Sequence, residues 1–310
     1  MATRTRDGSR RRRKSNGVPT KTRAARSRRS APRRNGSIRR PNRAEFFVDV
    51  NDWKVLCHCL RSNLNTLLIG PTGCGKTELC QRVCDAVGRP LITFNLGAMS
   101  EPRISLIGNT RFDSERGTWF ERSRFVRAIE TPGCVILLDE ISRCHRDAFN
   151  ILFPVLDGQQ RLPLDEDEGG VVVEVAPQVT FFATANLGAG YTGARELDVA
   201  LLDRFASLLQ IDFPPPRAES QLLQSRCPGI SREHAELLIR IAVEQRKLAD
   251  QGDFLATVST RSLIAAGRLI GEGMPLATAV QCCIVNRFSS TGGDLSERAR
   301  MAQLTQRFLD

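Results

Sequence analysis

The sequence predicts an α/β protein in which a largely parallel five-stranded sheet, covered on both faces, precedes a smaller all-helical domain. Three features carry this prediction. Compact apolar segments interleave with helical periodicity between Phe46 and Phe213. A glycine-rich loop, GPTGCGKT, joins the first of those segments to a helix. Beyond the proline triplet Pro214–Pro216, only helical spacing remains.

The charge of +11 belongs to one end of the chain. Met1–Arg43 holds seventeen Lys/Arg against a single acid, Asp7, whereas the rest holds twenty-eight against thirty-three Asp/Glu. Beyond Val18 and Ile38 this stretch has almost no aliphatic residues. It cannot bury enough apolar surface to offset its ordering entropy, so residues 1–43 are expected to be a disordered Arg-rich tail. A solvated polycation attracts phosphates, which makes DNA or RNA one candidate partner and simple solubilisation the other reading. No apolar run follows the arginines or approaches the ~20 residues of a membrane span, so a cytoplasmic protein is expected.

The elements follow in order. Phe46–Val50 leads into a short helix, DWKVLCHCL. Asn65–Gly70 is a strand ending in Gly-Pro, and Thr77–Val87 is a helix closed by Gly88. Further strands are Pro90–Leu96, Gly133–Glu140, Val179–Asn186 and Ala206–Phe213. The third and fourth strands are apolar on consecutive residues, which requires cover on both faces. Gln159–Val175 reads as a hairpin whose DEDE tip is a solvated turn. Leu197, Leu201 and Phe205 recur every four residues, as on one buried helix face, with Arg204 at its rim. After the prolines, REHAELLIRIAVEQRKLAD, STRSLIAAGRLI and PLATAVQCCIVNRF repeat apolar residues at helical spacing. The expected division is therefore a nucleotide-binding domain over 44–213 and a helical domain over 214–310. None of the ten cysteines forms a C-x-x-C pair, so they are expected as reduced, buried small hydrophobes.

The chemistry starts at Gly70, Pro71, Thr72, Gly73, Cys74, Gly75, Lys76 and Thr77, which match G-x-x-x-x-G-K-[ST] between a strand and a helix. The glycines let backbone N–H groups surround phosphates, and the helix N-terminus adds positive potential. Lys76 would reach the β- and γ-phosphates of ATP, and the Thr77 hydroxyl would ligate Mg²⁺. Asp139 closes a buried strand, where it can hold the Mg²⁺ shell. Glu140 is placed to polarise the attacking water, and Asn186, ending ATAN, to orient it. Asn95 could hydrogen-bond Glu140 and hold it idle, although a strand-end Asn is also a common turn residue. Ser259 is a candidate N-cap that would put Arg261 in a first helical turn, where an anion is favoured.

The P-loop, LLDE, ATAN, LLDRF and a late STR occur in an order that resembles the AAA+ ATPases, in details similar to the MoxR-type branch with its CbbQ-like activators, chelatase subunits and dynein-related modules. The resemblance runs from Phe46 to the C-terminus. It implies a sheet of order 5-1-4-3-2, an all-α lid, ATP hydrolysis with Mg²⁺, and a homo-oligomeric ring, a hexamer in the family. It makes Asp139 and Glu140 the Walker B pair, Asn186 sensor 1, Arg204 the arginine finger and Arg261 sensor 2. Ser105–Phe120 and Gln159–Val175 resemble the branch's two insertions, which in the family project toward the central pore. A protein partner to be remodelled, in some members carrying a von Willebrand A domain, is implied as well. Arg195 is the rival finger: in one continuous helix it would face away from Arg204, nine residues on at ~100° each. Cys74 departs from the Thr or Ser of many relatives; a small thiol fits, though its oxidation could block the loop.

Overall fold

A computed structural model of the chain describes residues 38–42, 45–167, 169–186, 197 and 199–309. Arg195 and most of the basic tail lie outside the described residues. Residues 38–42, assigned to that tail by composition, are tied to the segment beside them. Trp53 Nε1 donates to the Ile38 carbonyl and Arg40 Nη1 to that of Val48, each at 3.4 Å.

Helix α1 (Val50–Arg61) is capped by the Asp49 carboxylate, which accepts from the Asn51 N–H at 2.7 Å. Strand β1 (Thr66–Ile69) feeds helix α2 (Lys76–Val87), and strand β2 (Leu91–Asn95) follows. Helix α3 (Pro102–Leu106) leads into an antiparallel hairpin, β3 (Gly108–Asp113) and β4 (Gly117–Arg122), and then helix α4 (Arg124–Ile129). Strand β5 (Val135–Asp139), helix α5 (Arg146–Leu156) and a second hairpin, β6 (Arg161–Leu164) with β7 (Val171–Glu174), come next. Strand β8 (Thr180–Ala185), a single turn α6 (Val199–Leu202) and strand β9 (Ser207–Gln210) complete the α/β part. Helices α7 (Pro216–Arg226), α8 (Arg232–Asp250), α9 (Thr260–Gly271), α10 (Leu276–Cys283) and α11 (Glu297–Leu309) make up the remainder.

The five-stranded sheet runs β2-β5-β8-β1-β9 with every neighbouring pair parallel. Numbered among themselves in chain order, these strands lie 5-1-4-3-2, as expected. Consecutive apolar residues serve opposite faces. Leu68, Val135, Leu137 and Phe182 pack with Leu56, Leu60, Leu79 and Val83 of α1 and α2. Leu67, Ile136, Leu138, Phe181 and Ala183 pack with Phe125, Val126, Ile151 and Leu152 of α4 and α5. A separate core built on Leu223, Leu238, Ile241, Leu263, Val280 and Met301 unites the last five helices. All ten cysteines are free thiols, and nine are buried. Among the described residues, no helix is long and apolar enough to cross a membrane.

Two expectations change. The helix expected over Leu197–Phe205 is only the four-residue turn α6. Arg204 and Phe205 donate to the Leu201 and Leu202 carbonyls, three residues back, at 3.2 and 3.0 Å. With β9 starting at Ser207, the chain tightens instead of continuing the helix; Leu201 and Phe205 are buried all the same. The acidic hairpin tip is not merely solvated. Glu166 accepts from Arg103 Nε at 2.9 Å, and Asp167 pairs at 3.0 Å with Arg122, which also reaches Glu130 at 2.9 Å. Arginines from α3 and β4 thus face a turn far away in sequence.

Candidate functional site

Because the sheet is parallel, β1, β5 and β8 end at one edge and deliver their last residues to a common crevice. Gly70 follows β1, donates its N–H to the Ala185 carbonyl at 3.2 Å, and passes so close to β9 that a Cβ would lie 1.9 Å from the Ile211 carbonyl oxygen. The loop then wraps a cavity of about 380 Å³. Its apolar lining comes from Phe46, Phe47, Pro214, Leu222 and Ile264, and its polar lining includes residues 72–78, Asp139, Glu140, Thr184 and Asn186.

Lys76, the first residue of α2, is buried, and its ammonium donates to the Gly70 and Pro71 carbonyls at 3.0 and 2.8 Å and to Asn186 Oδ1 at 2.8 Å. Burial pushes its pKa below the ordinary lysine value, against the opposing pull of Cys74 and Asp139. A phosphate beside this cation would relieve its desolvation. Cys74 directs its thiol at the Ile211 carbonyl, 3.6 Å away, and burial raises its pKa, with Lys76 pulling the other way.

The carboxylate of Asp139 accepts from Thr77 Oγ1 at 3.0 and 3.2 Å and from Thr184 Oγ1. The Thr184 hydroxyl in turn accepts from the Glu140 N–H at 3.0 Å. A hydroxyl and a carboxylate at the mouth of a phosphate loop form the oxygen-only donor set that Mg²⁺ takes, completed by phosphate oxygens and water. Thr77 and Asp139 would therefore hold the metal, which supplies charge neutralisation on the β- and γ-oxygens. Glu140 sits at φ 57°, left-handed backbone that a non-glycine residue adopts rarely. Its carboxylate lies 3.6 Å from Arg143, and no hydrogen bond joins it to Asn95, so of the two readings of Asn95 the idling contact is not made here. Room for Glu140 comes from Gly97, where a Cβ would stand 2.6 Å from Oε2.

The helical part closes the cavity. Ser259 caps α9, accepting from the Ser262 N–H at 3.1 Å, which puts Arg261 in the first turn. Arg261, Ile264 and Arg268, on one face of α9, line the cavity together with Arg226 from the end of α7. Arg226 donates to Glu78 of α2 at 2.6 Å and to the Glu45 carbonyl at 2.7 Å. Burial alone would raise the Glu78 carboxyl, but Arg82 and Arg226 hold it below the usual range. Arg204 is not among the residues lining the cavity. Its guanidinium lies 4.2 Å over the Phe153 ring and donates to the Ala200 carbonyl, while its buried Nε has no partner among the described residues. No ion pair joins it to Asp203.

Of the residues singled out from sequence, Thr72–Thr77 of the P-loop, Asp139, Glu140, Asn186 and Arg261 therefore line one cavity, whereas Gly70, Pro71 and Arg204 are not among its lining residues. Reasoning from sequence missed Thr184, Gly97, Arg226, Arg268 and the Phe46–Phe47 pair. Only Arg268 had a local signal, lying two helical turns after Arg261 on the same face.

Gly73 shows how tightly the two parts meet. It sits at φ +77°, and a Cβ there would come 2.6 Å from Ser259 Cβ. A Gly73→Ala variant is expected to bind a fluorescent ATP analogue at least about tenfold more weakly while staying folded, because the strained φ and the displaced α9 both act on the closed cavity. Wild-type affinity would show that α9 need not rest on the loop.

The chain matches two family descriptions: AAA domain (dynein-related subfamily) over residues 65–205, and CbbQ/NirQ/NorQ C-terminal over residues 219–307. It is 36% identical over 218 residues to BssE of Thauera aromatica, covering 70% of this chain and 73% of that one. It is 31% identical to CbbQ of Hydrogenophilus thermoluteolus, with coverage of 71% and 79%. With NorQ of Paracoccus denitrificans the identity is 30%, over 81% of this chain and 88% of its relative.

Proposed function

Because the chain belongs to the AAA+ ATPases of the CbbQ/NirQ/NorQ type, binding ATP with Mg²⁺ and hydrolysing it, we propose that it assembles into a ring, a hexamer, that uses hydrolysis to remodel or activate a protein partner. Lys76 holds the β- and γ-phosphates, and Thr77 with Asp139 holds Mg²⁺. Glu140 takes the proton of the attacking water, Asn186 orients that water, and Arg261 stabilises the transferring phosphoryl group within the same chain. Arg204 does so for the neighbouring subunit. A von Willebrand A-domain protein is the partner that fits this branch.

The observation that carries the ring is the position of Arg204. It is not among the residues lining its own chain's cavity, as suits a group whose ligand belongs to another subunit. Dependence on a trans arginine makes turnover per chain rise steeply with chain concentration as the ring forms. Phosphate release in ATP and Mg²⁺ across a dilution series tests this, and turnover per chain independent of dilution would overturn the ring requirement. The seventeen cations of the tail favour a second reading, a nucleic-acid-associated ATPase. The remodelling reading expects duplex DNA to leave turnover unchanged. Stimulation by DNA that disappears in a chain beginning at Gly36 would favour the second.

A further inference from the structure

Behind Arg261 lies a buried polar network for which the chemistry above has no use. Glu219 of α7 is fully buried, and its carboxylate takes both terminal nitrogens of Arg246 of α8, Nη1 at 2.8 Å and Nη2 at 2.9 Å. The same carboxylate accepts from the hydroxyl of Thr260, the residue directly before Arg261. The remaining Arg246 nitrogen, Nε, donates to the Val258 carbonyl at 2.9 Å. Gln245, also fully buried, accepts from the Val258 N–H at 2.7 Å and donates to the Ala256 carbonyl at 2.8 Å. On its other side the Arg246 guanidinium lies 3.8 Å from the centroid of Phe213, the last residue before the proline triplet.

Stability is a poor explanation for this pair. Taking two charges out of water costs several kcal/mol per ion, and apolar replacements of similar volume are often neutral or better. What the network does achieve is geometric. Every polar contact outside the pair itself goes to residues 256–260, the entry to α9, and the one stacking contact goes to the joint between the α/β and helical parts. The turn it fixes carries Ser259 against Gly73 and Arg261 into the cavity.

We infer that Glu219 and Arg246 are positioning residues for Arg261: through Thr260 and Val258 they lock the first turn of α9, and through Phe213 they register it to the joint. Arg261 then meets the phosphates with its backbone already fixed and moves with the lid as one body. The inference rests on the role of Arg261 proposed above.

The test uses full-length protein. In Glu219→Leu/Arg246→Met the charges are removed as a pair, and in Thr260→Val only the hydroxyl link to α9 is lost. Both are expected to keep their melting temperature and to hold KM for ATP within about threefold, while kcat falls by about 10- to 100-fold, as a small misplacement of a catalytic group would cause. Thr260→Ser, which keeps the hydroxyl, is expected to restore kcat. Adding the double substitution to Arg261→Ala is expected to cost nothing further, because the pair acts only through that arginine. If Arg261→Ala abolishes turnover while the pair and Thr260→Val variants retain wild-type kcat, or if the losses simply multiply, the positioning inference is wrong. If Arg261→Ala itself keeps wild-type kcat, the role of Arg261 falls and this inference with it. Should the double variant fail to fold, the Thr260→Val and Thr260→Ser pair decides alone.

Discussion

An Arg204→Ala variant is expected to bind ATP normally and to lose hydrolysis by about 10³- to 10⁵-fold, or about 4–7 kcal/mol of transition-state stabilisation. Binding survives because Arg204 does not line the cavity of its own chain. Hydrolysis is lost because, on the proposed role, the guanidinium serves the neighbouring subunit's site; in its own chain it lies 4.2 Å from the Phe153 ring centroid. Phosphate release measures the loss, and near-wild-type turnover would end the assignment. Mixing gives a sharper readout. Arg204→Ala subunits keep an intact Glu140, and Glu140→Gln subunits keep an intact Arg204. Assemblies of the two inactive variants are therefore expected to recover part of the activity, and a mixture as dead as its components would argue against action in trans.

The second large effect is Glu140→Gln by itself. General-base catalysis contributes about 10²- to 10⁴-fold, and the amide cannot accept a proton from water. The substitution is isosteric, so the left-handed backbone at φ 57°, the hydrogen bond from its N–H to Thr184 and the pocket opened by Gly97 all persist. Turnover is expected to fall by that factor while nucleotide stays bound, so chromatography after incubation with ATP should recover unhydrolysed ATP on the protein. Recovery of ADP at the wild-type rate would remove Glu140 from the role of base and redirect attention to Asn186 and Asp139.

Much of the fold was legible because its signals are local. Val135–Leu138 and Phe181–Ala183 are apolar on consecutive residues, and a strand can bury both faces only inside a covered parallel sheet. The P-loop was legible for the same reason: Gly70, Gly73 and Lys76 lie within one turn of chain between a strand and a helix. Ser259 and Arg261 were readable from cap chemistry, which spans three residues. Where local reasoning went astray, a distant partner had decided the outcome. The spacing of Leu197, Leu201 and Phe205 suggested a full helix, but the start of β9 leaves room for a single turn. The acidic hairpin tip looked solvated until Arg103 and Arg122 came to face it.

By itself, then, the sequence determined the five strands of the parallel sheet, several of the helices around and after it, the phosphate loop and the pair of acids at the end of β5. Each depends on residues a few positions apart, whose spacing is set by the 3.6- and 2-residue periods of the backbone. Only the tertiary structure decided that Thr184 hydrogen-bonds Asp139, that Gly97 makes room for Glu140, and that Arg226 closes onto Glu78. It also decided that Arg204 packs over Phe153 and does not line its own cavity. These contacts join residues roughly forty to one hundred and fifty positions apart, and no backbone period relates their side chains. Their geometry exists only once the parallel strands have aligned their ends and the helical part has closed over them.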